Sequence, residues 1–348
     1  MQVLHMTGYE RVTAHLAGSP VDRLPLMPIT MMYAADQIGV TYRQYVSDYR
    51  VLCEAQVQTA EIFNLDYVSV ISDPAREAAD CGAKVAFFDD QPPAIDETAA
   101  RIAEKSALAD LRMPDPLAGG RMTDRVQGVA ALSEQVRRDK LVEGWVEGPC
   151  AEAADLRGLN TLMLDFIDDP PFVHDLLDFV TEMAIVFARA QVDAGADLIG
   201  MGDAAASLAG PQIYEQFIAP REKRIIEAVH ELGIPVRLHI CGNTRPLYEQ
   251  MGKLGCDIID LDSMCPLDEA REKLGFGQVL LGNLDPVRAL KNSDPATVEK
   301  ATAACHDAVG PRYIVGAGCE VPRETPPENM HALGRYARDH HPHAVSSR

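Results

Sequence analysis

The sequence predicts an α/β fold, a (β/α)8 TIM barrel, on three observations. Short apolar or β-branched runs alternate with longer amphipathic segments through nearly the whole chain, the pattern of repeated βα units around a parallel sheet. There are eight such runs, the closure number of the barrel. The length of 348 residues lies within the range of about 200 to over 400 residues that a single barrel occupies. One domain is therefore expected over residues 1–340, followed by a flexible tail at 341–348.

The expected strands, in order, are Leu24 to Thr30, Tyr67 to Asp73, Leu141 to Gly148, Asp197 to Asp203, Val236 to Gly242, Asp257 to Ser263, Gln278 to Leu284 and Tyr313 to Cys319. The segments between them read as helices. Between Pro170 and Gly195, Phe172, Leu176, Leu177, Phe179, Val180, Met183, Ala184, Val186 and Phe187 recur at helical spacing. Asp168-Asp-Pro-Pro supplies a capping carboxylate and a helix-starting proline, and Gly195 closes the helix. The interval between the second and third strands is too long for one crossover. It holds Ala83-Lys-Val-Ala-Phe-Phe-Asp-Asp-Gln-Pro-Pro93, which alternates and turns like a hairpin inserted over the barrel mouth as part of a lid. From His340 onward the periodicity is lost, and a frayed end is expected.

The charge balance, 32 basic against 52 acidic side chains for a net of −20, repels phosphate backbones and anionic headgroups. Nucleic acid and membrane are excluded as partners on that ground. No apolar stretch approaches the roughly 20 residues that span a bilayer, and Met1-Gln-Val-Leu-His-Met-Thr7 lacks a basic-then-apolar signal segment. A soluble cytoplasmic protein, monomer or homodimer, is expected. The eight cysteines show no framework spacing, so they are read as reduced and most of them as buried core.

Two cysteines stand apart. Val236-Arg-Leu-His-Ile-Cys-Gly242 is an apolar run that ends at a glycine. Side chains two apart on a strand share a face, so His239 and Cys241 point the same way. Cys319 ends the glycine-rich Val315-Gly-Ala-Gly-Cys319. An imidazole with two thiolates is a donor set that zinc prefers, and three protein ligands leave a position open, as in catalytic zinc sites. Cys319 follows Cys241 by 78 residues, which is no finger spacing; the fold must assemble this site.

Barrel enzymes carry their chemistry at the C-terminal strand ends. Those ends present Asp73, Glu147, Asp203, His239 with Cys241, Asp262, Asn283 with Asp285, and Cys319 with Glu320. Strand-end Asp and Asn also cap the helix that follows, and for Asp262, Asn283 and Asp285 both readings stay open. Asp203 beside Gly202 and Glu147 before Gly148-Pro149 have small neighbours that let a ligand approach.

The chain resembles the uroporphyrinogen decarboxylase superfamily, in its zinc-dependent branch of methylcobamide:thiol (coenzyme M type) methyltransferases. The resemblance rests on His239-Ile-Cys-Gly-Asn243, Gly318-Cys-Glu-Val-Pro-Arg-Glu-Thr-Pro-Pro327, Leu281-Gly-Asn-Leu-Asp285 and Val21-Asp-Arg-Leu-Pro25, with Ser72-Asp73 and Asp203 at acidic strand ends. It implies zinc on His239, Cys241 and Cys319. It also implies a methyl group passed between a corrinoid (methylcobalamin) on a partner protein and a small-molecule thiol. Asp73, Glu147 and Asp203 are the candidate proton acceptors or orienting groups, Asn243 and Asn283 the candidate cofactor contacts, and Glu320 a candidate fourth ligand at rest. The chain lacks an Asp-x-His-x-x-Gly run for cobalamin, so the corrinoid is expected on a partner protein or another domain. Met27 to Asp36 carries no arginine where the decarboxylases grip a porphyrinogen's carboxylates. A cofactor-free decarboxylase and a non-catalytic zinc-stabilised protein remain the alternative readings.

Overall fold

The computed structural model describes residues 5–342. Residues 343–348, most of the expected tail, lie outside them. Nine strands follow in chain order: β1 Tyr67–Ser69, β2 Val85–Ala86, β3 Ala94–Ile95, β4 Leu141–Glu147, β5 Leu198–Gly202, β6 Val236–Ile240, β7 Ile258–Leu261, β8 Val279–Leu284 and β9 Tyr313–Ala317. Seven of them form one parallel sheet in the order β1-β4-β5-β6-β7-β8-β9, curled and covered by helices as in a TIM barrel.

The eighth place is taken by residues 24–30, and here the structure corrects the expectation of a strand. Leu26 makes one isolated parallel bridge to Val315 of β9. Val315 N donates to Pro25 O and Met27 N to Val315 O, each at 2.9 Å, while Asp66 N, just before β1, donates to Leu26 O at 3.1 Å. The segment thus touches both edges of the sheet. It forms no continuous ladder because Pro25 and Pro28 have no N–H to give. Val21 to Pro25 also fastens the floor, where Arg23 grips the fully buried Asp66 at 2.8 and 2.9 Å beside Arg11.

Between β1 and β4, β2 and β3 pair antiparallel, with Val85 opposite Ile95 and Ala86 opposite Ala94. The connecting residues are pinned from two sides. Tyr42 N donates to Asp89 O at 2.7 Å, and Arg323 Nη1 donates to Asp90 O at 3.1 Å.

The long helix Pro170–Asp193 starts where Asp169 accepts from Phe172 N at 3.3 Å. It buries Phe172, Leu176, Leu177, Val180, Met183 and Phe187, each side chain stabilising the fold by about 1.5–3 kcal/mol. Val186 stays partly exposed on its outer face. No described helix is long and apolar enough to cross a membrane.

The barrel interior is layered. At the bottom, Met27, Tyr67, Leu141, Leu198, Leu281 and Ile314 pack together. Above them lies an ionic layer in which fully buried Arg237 reaches Asp260 at 2.6 Å and Glu143 at 3.1 Å. Such charges are tolerated inside only because they are paired. The top layer holds Trp145, Glu147 and His239.

Candidate metal centre and the cavity beside it

β6 delivers His239, Cys241 follows the strand's last residue Ile240 with its sulfur on the same side as the imidazole, and the turn after β9 delivers Cys319. The three ligand atoms all lie within 4.8 Å of one another, the one such His/Cys/Asp/Glu group among the described residues. His239 Nε2 is 3.2 Å from Cys241 Sγ, and Cys241 Sγ is 3.9 Å from Cys319 Sγ. The other ring nitrogen, Nδ1, is 3.3 Å from both the carbonyl and the carboxylate of Asp260. Asp260 therefore orients the imidazole with Nε2 toward the sulfurs, the outer-sphere partner that metal-binding histidines usually have.

The three groups are tightly linked electrostatically. The hydrogen bond from Cys241 pulls the Cys319 thiol down to about 4 against burial, with His239 helping. The same contact, with burial, pushes the Cys241 thiol up. Burial acts to lower the His239 pKa, but the charges of Cys241 and Asp260 override it and raise it well above its ordinary value. A metal binding here must displace the protons that Cys241 and His239 hold, so its affinity rises with pH. One nitrogen and two sulfurs, partly buried and free of structural disulfides, fit zinc.

A cavity of about 240 Å³ lies beside the three ligands, walled largely by Ile29, Met31, Ile71, Pro74 and Trp145. Trp145 can lie flat across the top layer because Gly200 and Gly202 face it; a Cβ on Gly200 would sit 2.2 Å from the indole. Asp73, Glu147 and Glu320 also border the cavity. Burial raises Asp73, but Arg121, bonded to both its oxygens at 2.7 and 2.6 Å, and Arg76 hold its carboxyl below the usual range. Glu147 takes Arg76 at 2.8 Å and Trp145 Nε1 at 3.2 Å. Burial pushes it up to about 8, Arg76 opposing and Glu77 adding. Glu320 is also lifted to about 8 by burial, although it accepts from Met32 N at 2.6 Å.

Other expected site residues go elsewhere. Asp203 accepts from Ala151 N at 2.6 Å and Cys150 N at 3.3 Å, so it caps the helix Pro149–Arg157 while its neighbours Gly202 and Ala204 line the cavity. Asn243 is exposed and its side chain accepts from Arg245 N at 3.3 Å. Asn283 donates to the carbonyls of Asp262 and Cys265 at 2.8 and 2.6 Å. Asp262 takes the N–H groups of Gly242 and Met264, and Asp285 those of Val287 and Arg288. Neither asparagine borders the cavity. The sequence reading missed Asp260, Arg76, Arg121 and Trp145. A period-two count along β7 and β4 places Asp260 and Trp145 on the inner face; nothing local marks the two arginines.

Fold and site together define a barrel with a cluster of one histidine and two cysteines at its mouth that could hold a metal ion. The uroporphyrinogen decarboxylase (URO-D) family profile matches residues 7–340, and the chain belongs to that family. The methylcobamide:CoM methyltransferase MtbA of Methanosarcina mazei is 29% identical over 346 residues, 96% of this chain and 99% of that protein. MtaA of Methanosarcina barkeri, also a methylcobamide:CoM methyltransferase, is 26% identical over 93% of this chain and 95% of its own length. The uroporphyrinogen decarboxylase of Microcystis aeruginosa is 27% identical over 93% and 96%. A solved methyltransferase from Methanosarcina mazei superposes with a TM-score of 0.87 at 24% identity, covering 96% of this chain and 99% of that one, which establishes the shared fold. With such methyltransferases matched end to end, the chain is an enzyme of the transferase class.

Proposed function

We propose that this protein moves a methyl group between a corrinoid protein and a small thiol at a zinc centre held by His239, Cys241 and Cys319. The observation that carries the reading is the convergence of these three soft ligands, with Nδ1 of the histidine held by Asp260, on the wall of one small cavity. A zinc ion there supplies a soft Lewis acid that keeps a thiol ionised near neutral pH without making it a poor nucleophile.

The residues of the chain do the rest. The two cysteines balance the charge of the metal. Trp145, Ile29 and Ile71 exclude water and fix the acceptor near the sulfurs. Glu147, pushed up to about 8, suits a group that holds or releases the thiol proton near neutral pH. In the overall exchange the thiolate lone pair forms the new S–CH3 bond and the Co–C bond breaks, its electron pair staying with cobalt, which goes from Co(III) to Co(I). That redox chemistry belongs to the partner's corrinoid. Met27 to Asp36 carries no arginine to grip a porphyrinogen's carboxylates, and this counts against the decarboxylase reading.

The test is metal analysis and zinc X-ray absorption on the purified protein, followed by methylcobalamin turnover with thiols. Stoichiometric zinc with two sulfurs, gaining a third with an acceptor thiol, is expected. Undiminished zinc in a Cys241→Ala, Cys319→Ala double variant would overturn the site. A folded chain after chelation separates the reading from a zinc-stabilised structural protein.

A further inference from the structure

We propose that the buried carboxyls of Glu77, Glu152 and Asp155 form a proton path through the side of the barrel, linking Glu147 at the cavity to solvent beside Glu97. The inference rests on the methyl-transfer reading above and assigns an exit for the proton that the thiol gives up.

Glu147 ends β4 and borders the cavity, and the helix Pro149–Arg157 follows at once. Glu152 and Asp155 stand three residues apart on that helix, so they share a face. The short helix Arg76–Asp80 packs against it, and its Glu77 accepts from Glu147 N at 2.9 Å. The series continues outward. Glu152 lies within electrostatic reach of Glu77, Glu147 and Asp155, and Asp155 within reach of Glu77 and Glu97. Exposure rises along the way, from Glu152 at 1% through half-buried Asp155 to exposed Glu97. Glu147 cannot swing to the mouth, because Arg76 and Trp145 Nε1 hold one of its oxygens at 2.8 and 3.2 Å.

A second observation marks these groups as more than a structural ion cluster. Both oxygens of Glu152, one of Glu77 and one of Asp155 are buried without a hydrogen-bond partner among the described residues, whereas structural carboxylates at such depth are paired. Asp73 shows the contrast: Ser72 and Arg121 satisfy its oxygens, and it stays ionised. The cation that faces the cluster is Arg76, bonded to Glu147 and 3.4 Å from Glu77; Cys81 is a further titratable neighbour. One guanidinium cannot balance four carboxylates, so the cluster keeps protons. Glu147 and Asp155, its inner and outer ends, are both lifted to about 8, chiefly by burial, and a proton passes between matched acids at little cost in free energy. Each carboxyl takes a proton on one oxygen and gives it from the other, directly or through water on the free oxygens. The thiol S–H bond breaks with its electron pair left on sulfur, the proton adds to the Glu147 carboxylate, and one proton leaves at Asp155.

The zinc-loaded protein is mixed with mercaptoethanesulfonate in weakly buffered solution near neutrality. A pH indicator follows proton release, and ultraviolet absorbance follows thiolate formation, both by stopped flow. The wild type should release about one proton per zinc. Glu152→Gln and Asp155→Asn keep the side-chain shape but cannot relay, and each should slow both signals about tenfold or more at unchanged zinc content and thiol affinity. The base 2,6-lutidine, too hindered to bind a metal, should restore the thiolate signal as an external proton carrier. A purely structural role predicts no such rescue. A wild-type rate in either variant, or a slowed rate that lutidine leaves unchanged, overturns the path while the methyl-transfer reading stands. If the wild type releases no proton with the thiol and methylates none from methylcobalamin, that reading falls and this inference with it.

Discussion

Asp260 of β7 and His239 of β6 are direct cross-strand partners, and the Asp260 carboxylate stands 3.3 Å from His239 Nδ1 while Arg237 grips it at 2.6 Å. One carboxylate therefore serves both the candidate metal ligand and the ionic layer beneath it. Asp260→Asn keeps the shape but removes the charge. We expect zinc affinity to fall by about 10–100-fold, the usual cost of losing such an orienting partner. Arg237 keeps Glu143, so the fold should survive at a lower Tm. Competition with a zinc-sensitive chelator measures the first effect and thermal melting the second. Wild-type zinc affinity in Asp260→Asn would show that Asp260 does not orient the ligand.

A second prediction concerns pH. Glu152 is 1% exposed and neither of its carboxylate oxygens has a hydrogen-bond partner among the described residues. Burial, with the negative charges of Glu77, Asp155 and Glu147 nearby, raises its pKa well above the usual range. Asp155 and Glu147 are lifted to about 8, for the same leading reason of burial. Between their ordinary values near 4 and about 8, the folded chain holds protons that the unfolded chain has released. Stability must then fall as pH rises through that window. The contribution is complete below it and lost above it. Tm should drop between about pH 6 and pH 8.5, and Glu152→Gln should flatten the drop, raising Tm at the alkaline end by about 1–3 °C. Identical slopes for the two proteins would rule Glu152 out as a source.

Asp203 gives a third. Its carboxylate caps the helix after β4, and Gly148 leaves the room it needs, since a Cβ there would lie 2.4 Å from the Asp203 Cβ. Asp203→Ala should destabilise the protein by about 0.5–2 kcal/mol, the loss of a helix cap, with unchanged zinc content and unchanged KM for the thiol. A large loss of turnover at full metal content would return Asp203 to the catalytic group.

How far the sequence made this site legible depends on the range of the physics involved. His239 and Cys241 share a face by strand alternation, a local rule, and Cys319 lies at the end of an expected strand. Asp260 needs the register between β6 and β7, and the Arg76–Glu147 contact joins residues 71 apart; neither follows from a local pattern. Asp203, Asp262 and Asp285 illustrate a degeneracy: an acid at a strand end reads alike as cap and as catalyst, and only the position of the following helix decides. Leu24 to Thr30 read as a strand from its apolar content and occupies the strand's place, but its two prolines deny it the ladder.

The last prediction tests the cavity wall. Gly200 sits opposite Trp145 in the pairing of β4 and β5, and a methyl group on Gly200 would meet the indole at 2.2 and 2.4 Å. The ring has little room to yield. Its Nε1 is tied to Glu147, its backbone N to Gln191 at 2.8 Å, and the side chain is almost wholly buried. Gly200→Ala must therefore push the indole toward the cavity it lines, at a cost of about 1–3 kcal/mol for overpacking. The candidate ligands stand on and just after β6 and just after β9, away from Gly200 on β5, so zinc content should hold. The volume left for the acceptor shrinks, and KM for the thiol should rise several-fold, more for an aryl thiol than for a short alkyl one. Melting, metal analysis and steady-state kinetics on one preparation read all three. An unchanged KM with a lowered Tm would mean that Trp145 supports the barrel top without contacting the acceptor.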